Sequence, residues 1–267
     1  MSSDATTLDL SRPLALKRSL RRGWGIFNQT AGRFLIFMLI AEAVSELSHL
    51  LVQLGSTPVE EEGWKAIGAL CSLGLGLLLT VLTHWWMTLG LLRGAWLALS
   101  GSRPRLADLL RWDGPSLRRW MAMWGLILGV LILVAIGTVL GQAVVSLIEP
   151  ALAPVPVLLG GLLALLLLLS QLFCLPLVVL ARVSPFQAFR LGIEGLRHHP
   201  GSWLLLWLIQ MVPQVLMLVS QVLAEGLVLG VRLVTLPLAM CILTAVYVDR
   251  LEATPAMVPP GAQPPLP

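Results

Sequence analysis

Charge is what this sequence has least of. Of its 267 residues only 12% are Asp, Glu, Lys or Arg, whereas 57% are hydrophobic. Soluble domains carry about 25% charged residues, so the chain lacks the charge that a water-exposed surface of its size requires. A larger soluble core does not explain the deficit, because most of the charge of a soluble protein lies outside the core. The composition indicates a protein whose surroundings are mostly lipid.

Cysteine and recognisable catalytic motifs are also scarce. The three cysteines lie far apart and none belongs to a Cys-x-x-Cys pair, which argues against a disulfide framework or a zinc site. No His-Glu-x-x-His, Gly-x-Ser-x-Gly, P-loop or dinucleotide-binding sequence occurs, so the main hydrolase and nucleotide-binding motifs are missing. We therefore expect a protein that is not an enzyme and has no catalytic residues, metal site or cofactor.

Long uncharged segments fill most of the chain instead. A transmembrane helix needs about 20 predominantly apolar residues. Most of the long segments meet this requirement outright; the last is interrupted by Arg232, and the first contains Glu42, Glu46 and His49. The expected spans are 34–54, 66–92, 120–148, 155–181, 201–224 and 226–249. The sequence thus predicts an all-α integral membrane fold, a bundle of about six transmembrane helices.

Lysine and arginine are distributed unevenly between the connections. Sixteen of the 18 lie before the first expected span, in alternate connections or after the last span, whereas the other connections contain only Lys65. Because basic loops stay in the cytoplasm, we expect both termini there, in the inner membrane of a bacterium, and no nucleic-acid partner. Residues 1–33 then form a cytoplasmic segment and 34–250 the membrane domain. Residues 251–267, rich in proline, form a disordered tail.

Two segments in the basic connections have the pattern of amphipathic helices. Ser184 and Gln187 form a capping-box pattern, after which apolar and polar residues occupy different faces at helical spacing. The N-terminal segment has an apolar stripe formed by Leu16, Leu20, Trp24 and Phe27. Such helices lie in the interface plane with their cations toward anionic headgroups, although a soluble partner could bind the same faces. The expected anionic-lipid contacts are Lys17, Arg18, Arg21, Arg22, Arg190 and Arg197.

The same order of elements recurs along the chain. Ser11-Arg12-Pro13, Ser102-Arg103-Pro104 and Ser184-Pro185 each precede an expected interfacial helix, since serine caps helix N-termini and proline suits the first turn. Leu175-Pro176-Leu177 in the fourth span also recurs as Leu236-Pro237-Leu238 in the sixth. We predict a three-fold internal repeat that begins near residues 11, 102 and 184, with its axis along the membrane normal. Coincidence in so leucine-rich a chain is the alternative.

One group of polar residues lies inside the expected spans. Glu42, Glu46, His49 and Gln53 are offset by 0, 4, 7 and 11 residues and therefore share one helix face. Because a carboxylate in hydrocarbon is costly, this face should meet protein or water. Arg232 has an overlapping depth, and we expect it to pair with Glu46, helped by His49. The cluster is then a register-fixing ion pair, or a polar cavity for an ion, a proton or a lipid headgroup, unless the first span is interfacial and wet.

The run Leu175 to Ala188, LPLVVLARVSPFQA, links a proline-containing span to a short amphipathic helix. It resembles bacterial six-span proteins related to the membrane domain of glycerophosphoryl diester phosphodiesterases, mainly over residues 170–250. The resemblance implies a stand-alone membrane domain. It does not imply phosphodiesterase activity, because the catalytic domain of those enzymes is a separate soluble barrel. The longest hydrophilic stretch of this chain is its first 33 residues.

Three functional interpretations follow from these features. The first is a non-enzymatic membrane protein that organises membrane lipids or partner proteins. Its predicted partners are membrane lipids and either another membrane protein or a second copy of itself. The second is a small transporter or channel that uses the polar face of Glu42, Glu46, His49 and Arg232. The third is a lipid-modifying membrane enzyme. The sequence favours the first.

Overall fold

The computed structural model describes residues 15–56, 64–223 and 225–252. Helices cover 92% of this part of the chain, and no strand occurs in it. Six stretches are long and apolar enough to cross a membrane: Leu16–Ser56, Ile67–Leu99, Gly114–Ile148, Pro150–Val179, Pro200–Ser220 and Leu227–Arg250. The predicted all-α fold is confirmed, and the chain has the architecture of a multi-pass membrane protein.

The α-helices of the described residues follow one another with short connections. In chain order they are α1 (Leu16–Ser56), α2 (Trp64–Leu99), α3 (Leu106–Leu110), α4 (Gly114–Ile148), α5 (Pro154–Ser170), α6 (Cys174–Val179), α7 (Pro185–His198), α8 (Pro200–Leu223) and α9 (Glu225–Glu252). The expected helix start at Ser11-Arg12-Pro13 lies outside the described residues, as does the proline-rich tail after Glu252.

The N-terminal amphipathic segment differs from the expectation. α1 is one continuous helix of 41 residues, about 60 Å long at 1.5 Å per residue, or twice the thickness of a hydrocarbon core. No break separates this segment from the first span, so it is not the separate helix that the pattern predicted. Of its apolar stripe, Leu16 and Phe27 are buried while Trp24 remains exposed.

Contacts divide the chain into two compact units. Among the described residues, unit A comprises those within 20–113 and 213–245, and unit B comprises those within 15–19, 114–212 and 246–252. Unit A therefore contains most of α1 together with α2 and α3, whereas α4 to α7 belong to unit B.

Unit A is organised by the antiparallel contact between α1 and α2. A Cβ atom on Gly90 would lie 2.6 Å from the Phe37 ring, and one on Gly94 would lie 2.7 Å from the Phe34 ring. Glycine at these two positions lets the aromatic rings of α1 approach the backbone of α2, as small residues do in membrane helix packing. The buried core consists of Phe27, Phe34, Phe37, Met38, Ala41, Met87, Leu91, Ala95, Leu109 and Cys241.

In unit B the fourth expected span is interrupted. α5 ends at Ser170, the segment Gln171–Phe173 is a 3-10 turn, and α6 resumes at Cys174. Pro176 explains the position, because proline has no N–H and its ring clashes with the carbonyl four residues earlier. The expected single span therefore consists of two helices joined within the apolar stretch.

The ends of α2 and α6 are locally alike. Gly101 follows α2 with φ +82° and Arg182 follows α6 with φ +55°, and in each case a proline lies three residues later, Pro104 and Pro185. A short helix, α3 or α7, then begins. This correspondence agrees with the second and third predicted repeats, while the three-fold repeat itself stays a prediction.

Candidate functional site

The intramembrane polar residues of unit A meet at an ion pair between α1 and α9. Arg232 Nη1 donates a hydrogen bond to Glu42 Oε2 at 3.0 Å, and Arg232 Nε lies 3.0 Å from Glu42 Oε1. From the sequence we expected Arg232 to pair with Glu46. That prediction is wrong, because the partner is Glu42, one helical turn earlier on α1. Glu42 is only 6% exposed, and its Oε1 accepts no hydrogen bond from the described residues.

The contacts between α1 and α2 fix the depth of the polar residues. The backbone of α2 meets Val52 of α1 at Gly76 and Phe37 at Gly90. Because the two helices run antiparallel with equal rise per residue, Glu46 lies level with about residue 82 of α2. That level is close to the middle of the uncharged part of α2. Glu46 and its neighbours on α1 are therefore level with the apolar middle of α2, which argues against a wet, interfacial first span.

The remaining members of the predicted cluster are not drawn into the protein. Glu46, His49 and Gln53 are exposed on α1. Glu46 Oε1 lies 3.9 Å from His49 Nδ1, three residues apart on the same helix. The structure thus brings together Glu42 and Arg232, leaves Glu46 and His49 as a local pair, and places Gln53 beyond both.

In unit B, α7 is packed against the break in the fourth span. Gly192 of α7 touches the Ser170 carbonyl so closely that a Cβ atom could not be accommodated without a shift. Gly195 lies against the ring of Trp203 in the same way. Gln171 donates to Ser170 Oγ at 2.5 Å and accepts a bond from the Cys174 thiol at 2.7 Å. The polar groups at the break are therefore satisfied locally.

The face of α7 that packs on the protein is formed by small residues, Ala188, Gly192 and Gly195, all of them buried. Sequence reasoning divided α7 into an apolar and a polar face and missed this third face, although its spacing of four and three residues was a readable signal. Ser184 caps the helix as expected, since its hydroxyl accepts a bond from the Gln187 N–H at 3.3 Å.

The opposite face of α7 carries the expected lipid contacts. Phe186 is 70% exposed, and Arg190 and Arg197 are exposed beside it at helical spacing. Arg190 forms an ion pair with Glu194 at 2.9 Å. On α1, Lys17, Arg18 and Arg21 are exposed and Arg22 is partly buried. Whether these cations touch lipid stays a prediction.

Side chains that hold α3 in unit A were not recognised from the sequence. Arg93 Nη1 donates to the carbonyls of Asp108 and Arg111 at 3.0 and 2.9 Å, and the Trp86 indole donates to Leu110 at 3.1 Å. These bonds satisfy the carbonyls at the end of a helix of five residues, which has little stability of its own. In the sequence Arg93 counts only as one of the basic residues of a connection, and neither its position nor that of Trp86 shows which carbonyl the side chain will reach.

The described residues contain no cluster of three His, Cys, Asp or Glu side chains that could bind a metal ion. What the two polar arrangements can do is hold helices in register, bind a polar headgroup at an exposed cation, or bind another polar helix at an exposed acid and imidazole. No family model, curated protein or solved structure matches this chain.

Proposed function

We propose that this chain is a non-enzymatic membrane protein that gathers anionic phospholipid at the cytoplasmic face of a bacterial inner membrane. The sixteen basic residues on one side of the expected topology support this orientation, with both termini in the cytoplasm. The resemblance to the membrane domain of glycerophosphoryl diester phosphodiesterases, itself still a prediction, agrees with a domain that works at a lipid surface.

The observation that carries the proposal is the placement of α7. Its small-residue face is fixed against the break in the fourth span, so the helix presents Phe186, Arg190 and Arg197 from a rigid support. An aromatic ring beside cations is the composition of an interfacial helix that contacts acyl chains and anionic headgroups together.

The arrangement in unit A supports the same interpretation over a transporter. Arg232 donates one hydrogen bond to Glu42 Oε2, and its Nε lies 3.0 Å from Oε1, so the two side chains form a direct ion pair between α1 and α9. We infer that the pair sets the register of α1 and α9. Reconstituted protein with an enclosed pH-sensitive dye should therefore show no proton flux.

The proposal is tested by the lipid that the protein retains. We expect the purified wild type to carry a higher ratio of phosphatidylglycerol to phosphatidylethanolamine than the membrane from which it was extracted, measured by mass spectrometry. The double substitution Arg190→Gln/Arg197→Gln should weaken retention of phosphatidylglycerol by up to about thirtyfold and so remove most of the enrichment, since each basic residue near an anionic surface contributes about 1 kcal/mol.

A matched control removes the same charge elsewhere. Arg103 and Arg105 are exposed in the connection before α3, and Arg103→Gln/Arg105→Gln should leave the enrichment within about twofold of the wild type. An unenriched wild type, or an equal loss in both double variants, would contradict the assignment of the lipid site to α7.

A further inference from the structure

The part of α1 that leads to Ser56 has an exposed polar face that nothing in the described chain covers. The side chains of Glu46 and His49 are 72% and 47% exposed, and Gln53 on the same face is exposed too. The residues around them on α1 are apolar and also exposed, namely Val44, Leu47, Leu50 and Leu54. An acid and an imidazole thus stand on a helix surface that otherwise suits lipid.

This face lies deep in the membrane. Gly55 of α1 packs on Leu73 and Ala69 of α2, and Gly76 of α2 packs on Val52. Extending this antiparallel register places His49 level with about residue 79 of α2, thirteen or so residues from either end of its uncharged stretch. At 1.5 Å per residue that is about 20 Å of apolar helix on both sides, more than half the thickness of a hydrocarbon core.

Polar and ionisable side chains at such depth almost always face protein or a water-filled cavity. Arg232, the intramembrane cation nearest to α1 among the described residues, already contacts both oxygens of Glu42. Glu46 therefore has His49 as its neighbour, at 3.9 Å, and both remain open toward the bilayer. A partner that packs on this face would shield Glu46 and His49 from lipid and remove the energetic cost of their exposure to it.

We propose that a second copy of this chain covers the face, with α1 packed against α1 as a parallel pair. The face is complementary to itself, because the acid and the imidazole lie less than one helical turn apart. In a dimer with its two-fold axis along the membrane normal, Glu46 of each copy meets His49 of the other, which is an isologous contact. Polar side chains bridge transmembrane helices in this way.

The spacing of the face fits a parallel crossing as well. Glu46, His49 and Gln53 follow one another after three and four residues, the interval at which successive contacts recur along a left-handed helix pair. Leu50 and Leu54 flank these positions and supply the apolar packing around the polar contacts. This dimer is independent of the proposed lipid binding by α7.

Dimerisation is measured by energy transfer between donor and acceptor fluorophores fused after Pro267, in liposomes of rising lipid-to-protein ratio. The wild type should show reversible dimers. Glu46→Leu/His49→Leu should weaken dimerisation about tenfold, since two symmetry-related polar contacts are lost. The exchanged variant Glu46→His/His49→Glu keeps complementarity and should retain the wild-type affinity within about threefold, which separates lost pairing from a damaged fold.

The glycine stripe of α4 provides the competing surface. Gly125 and Gly129 have no neighbouring atom within 4 Å of a built Cβ, and such spacing also supports helix association. Gly125→Leu/Gly129→Leu should leave the affinity unchanged. A monomeric wild type at every dilution would overturn the proposal, as would loss of dimers only in the glycine variant. Labelling of a His49→Cys variant in the membrane by a water-soluble thiol reagent would show water on this face and would also overturn it.

Discussion

The two units handle polar groups at membrane depth in different ways. In unit A the polar pair consists of an acid and a guanidinium, Glu42 and Arg232, which are 190 residues apart in the sequence. In unit B, Ser170, Gln171 and Cys174 are neutral neighbours along one interrupted span, and they bond to each other. A charged pair stabilises only while both partners are present, because either charge alone is left buried. A neutral local network loses little when one member is removed.

The largest expected effect tests the charged side of this comparison. Arg232→Leu should lower the free energy of unfolding by about 3–5 kcal/mol, since it leaves the buried Glu42 carboxyl without its partner. Glu42→Leu should cost less, because the Arg232 side chain is 27% exposed. The double variant should recover most of that loss, because apolar side chains of similar volume replace a buried pair at small cost. Reversible unfolding in mixed micelles, followed by tryptophan fluorescence, measures all three.

Glu46→Leu is the matched control for the ion pair. It removes a carboxylate one turn away on the same helix, but from an exposed position. We expect a change within about 0.5 kcal/mol in micelles diluted until the protein is monomeric. A loss as large as that of Glu42→Leu would restore the original expectation that Glu46 is the partner of Arg232.

The next effect tests how tightly α7 is held at the break in unit B. Gly192→Ala places a methyl group against the Ser170 carbonyl, and overpacking of this kind costs about 1–3 kcal/mol. Gly125→Ala in α4 meets open space and should gain up to about 1 kcal/mol from better helix propensity. Unfolding in mixed micelles should therefore give opposite signs for the same chemical change. Equal effects would mean that α7 does not pack closely on the broken span.

The neutral network gives a smaller effect. Gln171→Leu removes the bonds to Ser170 and Cys174 and should cost about 1 kcal/mol, the net contribution of such hydrogen bonds. The same unfolding measurement applies, with Leu172→Ala in the same turn as a control for packing loss. If Gln171→Leu lowered the free energy of unfolding by about 3 kcal/mol or more, the neutral network would be as sensitive to the loss of one member as the ion pair. The contrast between the two units would then be contradicted.

The sequence predicted the features that depend on charge and hydropathy. It predicted that Arg232 pairs with the acidic face of α1, but it chose Glu46, whereas the partner is Glu42, one helical turn earlier. Depth can be counted from residue numbers, whereas the choice between Glu42 and Glu46 depends on how α1 and α2 are aligned. That alignment is set by close contacts such as Phe37 on Gly90, which no periodicity reveals.

The features that depend on mutual fit were harder to predict. The N-terminal stripe of α1 has the amphipathic pattern of an interfacial helix, and the same pattern also suits a helix that packs on protein. Only the continuity of α1 through Ser56 separates the two. In unit B the break itself was signalled by Pro176, but the docking of α7 against it depends on contacts between segments that are separated in sequence.

The smallest effect concerns the turns that follow α2 and α6, where the two units are most alike. Ser102 N–H donates to the Leu97 carbonyl at 3.0 Å around Gly101, and Val183 N–H donates to the Leu177 carbonyl at 3.2 Å around Arg182. Glycine adopts a positive φ without strain, whereas arginine does so at a cost of about 1–2 kcal/mol. Arg182→Gly should therefore raise the free energy of unfolding by about 1 kcal/mol, less the extra chain entropy of glycine in the unfolded state.

The opposite substitution completes the test of this turn. Gly101→Ala introduces a side chain at φ +82° and should lower the free energy of unfolding by about 1 kcal/mol. Arg118→Gly at the start of α4 is exposed and helical, so it should destabilise, which controls for the loss of an arginine side chain. If Arg182→Gly instead destabilises as Arg118→Gly does, the arginine side chain stabilises this turn more than its backbone strain opposes it. The two turns would then share a backbone conformation but differ in how their side chains affect stability.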